Sequence, residues 1–371
     1  MEIQSTSPAL STNKGVVFRN PHESTLKKIL HRKVDEYFTR TGTPKTGTPE
    51  LYSKTVILLT VLVLTYVGII VSQSMTLSLL VLYPLLGLTF ASIGFNVMHD
   101  SAHGSYSSKK WVNELFGYSL NLVGGNVLFW KQKHNIAHHT YTNINNHDED
   151  IDIPGMRVHS VQPWKWYHKY QHVYWVLFYA FTYILWIFVS DFAKYFSGKV
   201  RVAHGGKIIM KPIDHVIFWV SKIAYICIFI GIPWYSHGFA YALSGFLVLS
   251  LVCGFVISTI FQLAHIVEDT DNVTSDNGVV HDDWTAHQLK TTADFATKSK
   301  VLSWIVGGLN FQVEHHLFPK ISHVHYPKIM GIVQNVALAH GIRHNEESTL
   351  WSAIMSHVKV LKKLGQQPSV A

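Results

Sequence analysis

Four stretches of this chain are apolar for about the 20 residues that a helix needs to cross a bilayer, and they come in two pairs. They run over about residues 55 to 73, 76 to 98, 215 to 235 and 239 to 261. The first pair is joined by SQSM and the second by SHG, and neither joint carries Lys or Arg. Links so short make tight hairpins. A fifth stretch, VYWVLFYAFTYILWIFVS (173 to 190), holds 18 residues without a charge. Only 15% of residues are charged and 48% are hydrophobic, against about 25% charged in soluble domains. The net charge of +8 therefore points to basic membrane-flanking loops rather than to nucleic acid.

Those loops set the orientation. Arg19, Lys27, Lys28, Arg32, Lys33, Arg40, Lys45 and Lys54 precede the first span; Lys194, Lys199, Arg201, Lys207 and Lys211 precede the third. The positive-inside rule puts both groups in the cytoplasm. A spanning 173–190 would separate them, so this stretch, rich in Trp and Tyr, is expected to be an interfacial or re-entrant helix. The expected fold is an all-α membrane protein: four transmembrane helices in two hairpins, with a cytoplasmic helical cap. Residues 1–54 form a cytoplasmic arm, 55–335 the main domain and 336–371 a cytoplasmic tail. The opening MEIQSTSPAL lacks a basic region followed by an apolar core and does not read as a secretory leader. Cys227 and Cys253 both lie in apolar runs, so neither a disulfide framework nor a cysteine metal site is expected.

The cap is where the histidines lie. The chain has 24, enough that about 1.5 HxxxH pairs would arise by chance. There are four: His99/His103, His134/His138, His168/His172 and His340/His344. The denser patterns are more specific. HNIAHH (134 to 139) adds His139 to its pair, and QVEHH (312 to 316) sets Gln312, His315 and His316 within one turn. Residues i, i+3 and i+4 share a helix face, so His99 and His103 point one way, as do Gln312, His315 and His316. Three residues separate His134 from His138, which turns His139 toward a different face. Neutral imidazole suits iron and zinc, and these faces could converge on one or two metals. His99 follows the second span and His265 the fourth. With an even number of spans, both meet the other histidines on the cytoplasmic side. Gln262, three residues before His265, shares its face and could hold a water on a metal.

Other histidines have plainer explanations. His168 and His172 sit in an aromatic belt with Trp164, Trp166, Tyr167 and Tyr170, and His340 and His344 in a polar tail. NHDEDID (146 to 152) is expected to be a solvated loop or one that supports ligands from behind. In DDWTAHQLKTTADFA (282 to 296), Trp284, Leu289 and Phe295 read as an interfacial helix face, and His287 as no ligand.

HDSAH, HNIAHH and QVEHH, placed so against two span pairs, resemble the three histidine boxes of membrane fatty acid desaturases over roughly residues 80 to 335. The Gln heading the third box, FWKQKHNIAHHTYTN and EHHLFPKISHVHYPKI resemble the front-end, linoleoyl-CoA desaturase-like subgroup. The resemblance makes 55–335 a desaturase domain with a di-iron site. It implies that histidine-held iron activates O2, that two hydrogens leave neighbouring carbons of an acyl lipid or acyl-CoA, and that a cis double bond and water form. His99, His103, His134, His138, His139, His315 and His316 would be the ligands. His265 would complete them, as a histidine outside the boxes does in similar enzymes, and Gln312 and Gln262 would stand as weak or water-mediated partners. Many members of the subgroup have two residues in the second-box gap where this chain has three. Many carry a fused haem domain with HPGG; none is seen here, so electrons are expected from a separate ferredoxin or cytochrome b5 with its reductase. Two rivals share the site chemistry, a membrane hydroxylase and a carotenoid-modifying oxygenase. A third, a metal-binding membrane protein or transporter, would place ligands at mid-membrane, where Lys222 is the chief ionisable group.

Overall fold

A computed structural model describes residues 16–18, 25–200, 207–274 and 278–366. Arg19, Arg201 and the opening MEIQSTSPAL lie outside them. The described residues are overwhelmingly helical. Their paired strands are two short parallel couples, β1 (Val17–Phe18) with β2 (Val279–Val280) and β3 (Asp294–Phe295) with β4 (Glu346–Glu347).

Helix α1 (Thr25–Thr41) precedes the long apolar helices α2 (Pro49–Val71) and α3 (Met75–His103). Pro49 opens α2, where its missing N–H costs nothing. The second hairpin is α7 (Pro212–His237) and α8 (Phe239–His265). The two hairpins are bound together near their loops. Tyr241 donates to Ser78 Oγ at 2.6 Å and to the Ile69 carbonyl at 3.2 Å, and His237 Nε2 meets the Ile70 carbonyl at 2.9 Å. Close approach of α3 to α8 depends on Gly87, where a Cβ would stand 2.5 Å from the Leu249 carbonyl oxygen.

Helix α3 continues beyond the predicted 76–98 to include His99 and His103. Its last turns widen over Gly94–Met98, a local π-turn of the kind found at functional sites. His265 closes α8. The histidine ends of α3 and α8 thus lie together, away from the hairpin loops.

Between the hairpins comes a departure from the sequence reading. Helix α6 (Trp166–Ser197) has 32 residues and joins α2, α3, α7 and α8 as a fifth helix long and apolar enough to cross a membrane. The stretch 173–190 is lengthened at both ends, and Asp191 can continue the helix because Lys222 of α7 meets it at 2.8 Å. Lys222 also donates to the Gly124 and Ile187 carbonyls, so the ammonium noted in the third span is fully engaged. Along its middle α6 packs on α8, where Gly254 leaves room for the Ala180 carbonyl and Thr182 Oγ1 meets Ser258 Oγ at 2.6 Å.

Shorter helices lie between and after these: α4 (Lys110–Gly117), the 127–141 segment that we call α5, α9 (Trp284–Thr291), α10 (Gln312–Leu317), α11 (Tyr326–Ala339) and α12 (Leu350–Gln366), with two unlabelled pieces at Ser119–Leu122 and Lys300–Ile305. Leu26, Leu30, Val34 and Phe38, spaced i, i+4, bury the inner face of α1 with Phe318, Tyr326 and Val333. Helix α9 is no interfacial surface helix: Leu289 is fully buried against α1 and α10, and the following Phe295 is fully buried in the main core.

Candidate metal centre

The first box ends α3. His99 and His103 share one α-helical face with ring centroids 4.7 Å apart, and Gly104, at φ 77°, stops the helix directly after them. The second box corrects the expected divergence of His139. Residues Gln132–His138 form a π-turn, and i→i+5 bonding brings residues five apart toward one face. His134 Nε2 and His139 Nε2 consequently lie 3.3 Å apart. The third box is α10. Gly307 and Gly308, both at positive φ, make the turn before it, and Asp294 Oδ1 accepts the Val313 N–H at 2.9 Å. Adjacent His315 and His316 then point to different neighbours.

All eight histidines singled out in the sequence come together. One ligand atom from each of His99, His103, His134 and His315 lies within 4.8 Å of the others. His138, His265 and His316 form a second such group, and His139 joins His315 and His316 between them. His168 and His287 belong to neither: the first caps the start of α6 by accepting the Lys165 N–H. The second is held by the Thr142 carbonyl at 2.8 Å and packs on Phe18.

Five of the eight rings are aimed from behind. His134 Nδ1 meets Asp150 Oδ2, His138 Nδ1 meets Asp148 Oδ2 and His316 Nδ1 meets Gln288 Oε1, all at 2.8 Å. His265 Nδ1 faces the Thr291 carbonyl at 3.3 Å and His315 Nδ1 the Tyr326 hydroxyl at 3.2 Å. Carboxylate and carbonyl oxygens only accept, so His134, His138, His265 and His316 carry their proton on Nδ1 and leave Nε2 as a lone pair. The buried Nε2 atoms of His103, His138, His265, His315 and His316 have no hydrogen-bond partner. One such orphan costs about 1–3 kcal/mol, and these five, gathered in two neighbouring groups, are placed as metal ligands would be. Burial holds His139, His315 and His316 well below the usual imidazole range, which keeps them neutral and ready to ligate. Burial also works against charging His138, but Asp148 and Asp150 together outweigh it and raise that ring. A nitrogen-rich donor set with supporting acceptors fits iron or zinc.

The loop NHDED therefore supports ligands from behind through Asp148 and Asp150. Gln288, Thr142, Tyr326 and Thr291 were not anticipated as supports. Gln288 Oε1 also accepts from Thr142 Oγ1 at 3.0 Å, tying the second box to the third, but no spacing in the sequence announces it. Gln262 gives its amide N–H to the Ile151 carbonyl at 3.0 Å. Its Oε1 and that of Gln312 are buried without partners. Trp130 lies against His134, ring centroids 4.3 Å apart. His344 is not a tail residue: pairing of β4 with β3 buries it 3.4 Å from Asp294 and 3.3 Å from Glu314.

Comparison with known proteins gives a consistent picture. The family model for fatty acid desaturase matches residues 74–348. An acyl-lipid (8-3)-desaturase of Physcomitrium patens is 35% identical over 285 residues, covering 76% of this chain and 59% of that protein. This chain thus spans less than two thirds of that relative. The sn-1 linoleoyl-lipid 6-desaturase of Arthrospira platensis is 34% identical, covering 76% of this chain and 77% of its own. That of Synechocystis sp. is 32% identical over 351 residues, covering 92% and 95%.

Proposed function

The chain belongs to the fatty acid desaturase family and is a membrane-lipid desaturase, and from that premise we propose that it inserts a cis double bond into the acyl chain of a membrane lipid at a histidine-held di-iron centre. The carrying observation is the set of buried, unpartnered Nε2 atoms, four of them (His138, His265, His315 and His316) on rings fixed from behind. His99, His103, His134 and His315 would hold one iron and His138, His265 and His316 the other, with His139 between them. When bound, the pair would supply the O2 activation that removing hydrogen from unactivated carbons demands. The protein's own part is orientation. Asp148, Asp150, Gln288 and the Thr291 carbonyl fix the rings, and Gln312 and Gln262 present free carbonyl oxygens beside them to a water. The apolar walls of α3 and α8 suit a hydrocarbon that offers no polar handle near the reacting carbons. The remaining electrons would come from a ferredoxin or cytochrome b5 with its reductase.

The test is purified protein assayed with such a carrier, O2 and defined lipids, with product mass and double-bond position read by mass spectrometry. Loss of two hydrogens, with about two iron atoms per chain, is expected. Gain of oxygen would mean a hydroxylase instead. A transporter is disfavoured because the histidines gather at helix ends rather than at mid-span.

For topology we infer that α2, α3, α7 and α8 span while α6 does not, which leaves one cytoplasmic cap. The basic residues on both sides of α6 support this. Cysteines introduced at the exposed Lys199 and Lys328, in a chain lacking Cys227 and Cys253, should then be labelled from the same side of sealed vesicles. Labelling from opposite sides would make α6 a fifth span.

A further inference from the structure

The histidine cluster comes nearest the surface at one ring. Seven of its eight histidines are buried, and His103 alone is partly exposed. His103 lines a cavity of about 420 Å³ between the end of α3 and helix α4, together with Ser101, Lys110, Asn113, Glu114 and Lys131. A hydrocarbon has no use for such walls. They are polar, and their charges are unequal. Lys110 stands 3.7 Å from Glu114, whereas Lys131 forms no ion pair within 4.0 Å among the described residues and is half-buried. Burial lowers its pKa, and Glu114, which Lys110 also faces, offsets this only in part, so a further anion beside it would be stabilising. The outer wall says where that anion comes from. Trp111 and Leu115 of α4, then Tyr118 and Leu122, are 62%, 57%, 40% and 40% exposed. Trp111 and Leu115 share one face of α4, and Tyr118 and Leu122 continue an exposed apolar edge through the turn and short helix that follow. The opposite face is anchored, because Asn113 bonds both the N–H and the carbonyl of Ser107. A helix with an aromatic stripe on one side and lysines at its edge lies in the headgroup layer of a bilayer.

We propose that this cavity holds the phosphate-bearing head of a bilayer glycerolipid, with Lys131 as its counter-charge, while the lipid's acyl chain runs past His103 into the histidine cluster. The proposal rests on the desaturase reading and adds the class of substrate head. It gives Lys131 a positioning role: it fixes how far along the chain the reacting carbons lie from the headgroup.

The test uses the full chain with its electron donors, in vesicles of saturated digalactosyl diacylglycerol. The same linoleoyl chain is offered on phosphatidylcholine, on monogalactosyl diacylglycerol and on coenzyme A. Wild type should show the lowest KM for the phospholipid. Lys131→Gln should raise that KM about tenfold with kcat and bound iron held, and leave KM for the galactolipid unchanged. Lys131→Arg should restore it, and Lys109→Gln, outside the cavity wall, should be neutral. Preference of wild type for the galactolipid would overturn the proposal without any variant. So would an equal rise on both lipids, which would mark Lys131 as structural. A lower KM for acyl-CoA, lost in Lys131→Gln, would overturn the bilayer source. Failure on all three carriers would count against the desaturase reading itself.

Discussion

His265→Ala is expected to abolish desaturation and to lower bound iron from two toward one per chain, while the protein still inserts and purifies. His265 closes α8 and reaches the second histidine group with its Nδ1 held by the Thr291 carbonyl and its Nε2 free. That group has only His138 and His316 besides, so removing one ring leaves two of its three members. Losing a residue that merely supports a ligand costs about 10–100-fold in metal affinity or activity, and losing the ligand itself should exceed that. His168→Ala is the control. That ring is also buried and also belongs to an i, i+4 histidine pair, but it caps a helix start, so its variant should keep its iron. Full iron and activity in His265→Ala would reduce His265 to a helix terminus.

Asp148→Asn should lower activity about 10–100-fold with a smaller loss of iron. Asp148 is fully buried and accepts from His138 Nδ1 at 2.8 Å, from the Asn143 N–H at 3.0 Å and, through Oδ1, from the Asp150 N–H at 2.9 Å. An amide keeps the shape but removes the charge that makes His138 the more basic donor. The metal's reduction potential should consequently rise, a change that simple loosening of the loop would not give. Gln288→Glu, the converse change behind His316, should move the potential the other way. Unchanged potential in both variants would mean that these groups only hold the rings in place.

The parts of this site that could be read from the sequence are those that repeat with helical spacing. His99/His103, HNIAHH and QVEHH each announce themselves within a turn, and His265 was found because span ends share a side. What stayed hidden depends on chain pairings with no local period. Gln288 looks like any polar residue of α9 until α10 is laid against it. His344 looks like tail until β4 pairs with β3. The π-turn through the second box was equally invisible, since a three-residue gap reads as ordinary helix, yet it decides where His139 points. The span count is a matter of degree: 173–190 is borderline alone, and the buried Lys222–Asp191 contact lets a carboxylate sit inside the longer helix that runs to Ser197.

Helix α12 has a bearing on how the enzyme is made. His357 within it accepts from Tyr179 of α6 at 2.7 Å on one nitrogen and donates from the other to the Ile266 carbonyl, also at 2.7 Å, one residue beyond His265. This clasp is synthesised after every box histidine. During translation the three boxes leave the ribosome in turn, each with rings that any passing soft cation could seize, before α12 has clasped α6 to the end of α8. On the di-iron reading, correct loading is expected to be completed on the finished polypeptide, and cells that express the protein faster than α12 can dock should accumulate mismetallated protein.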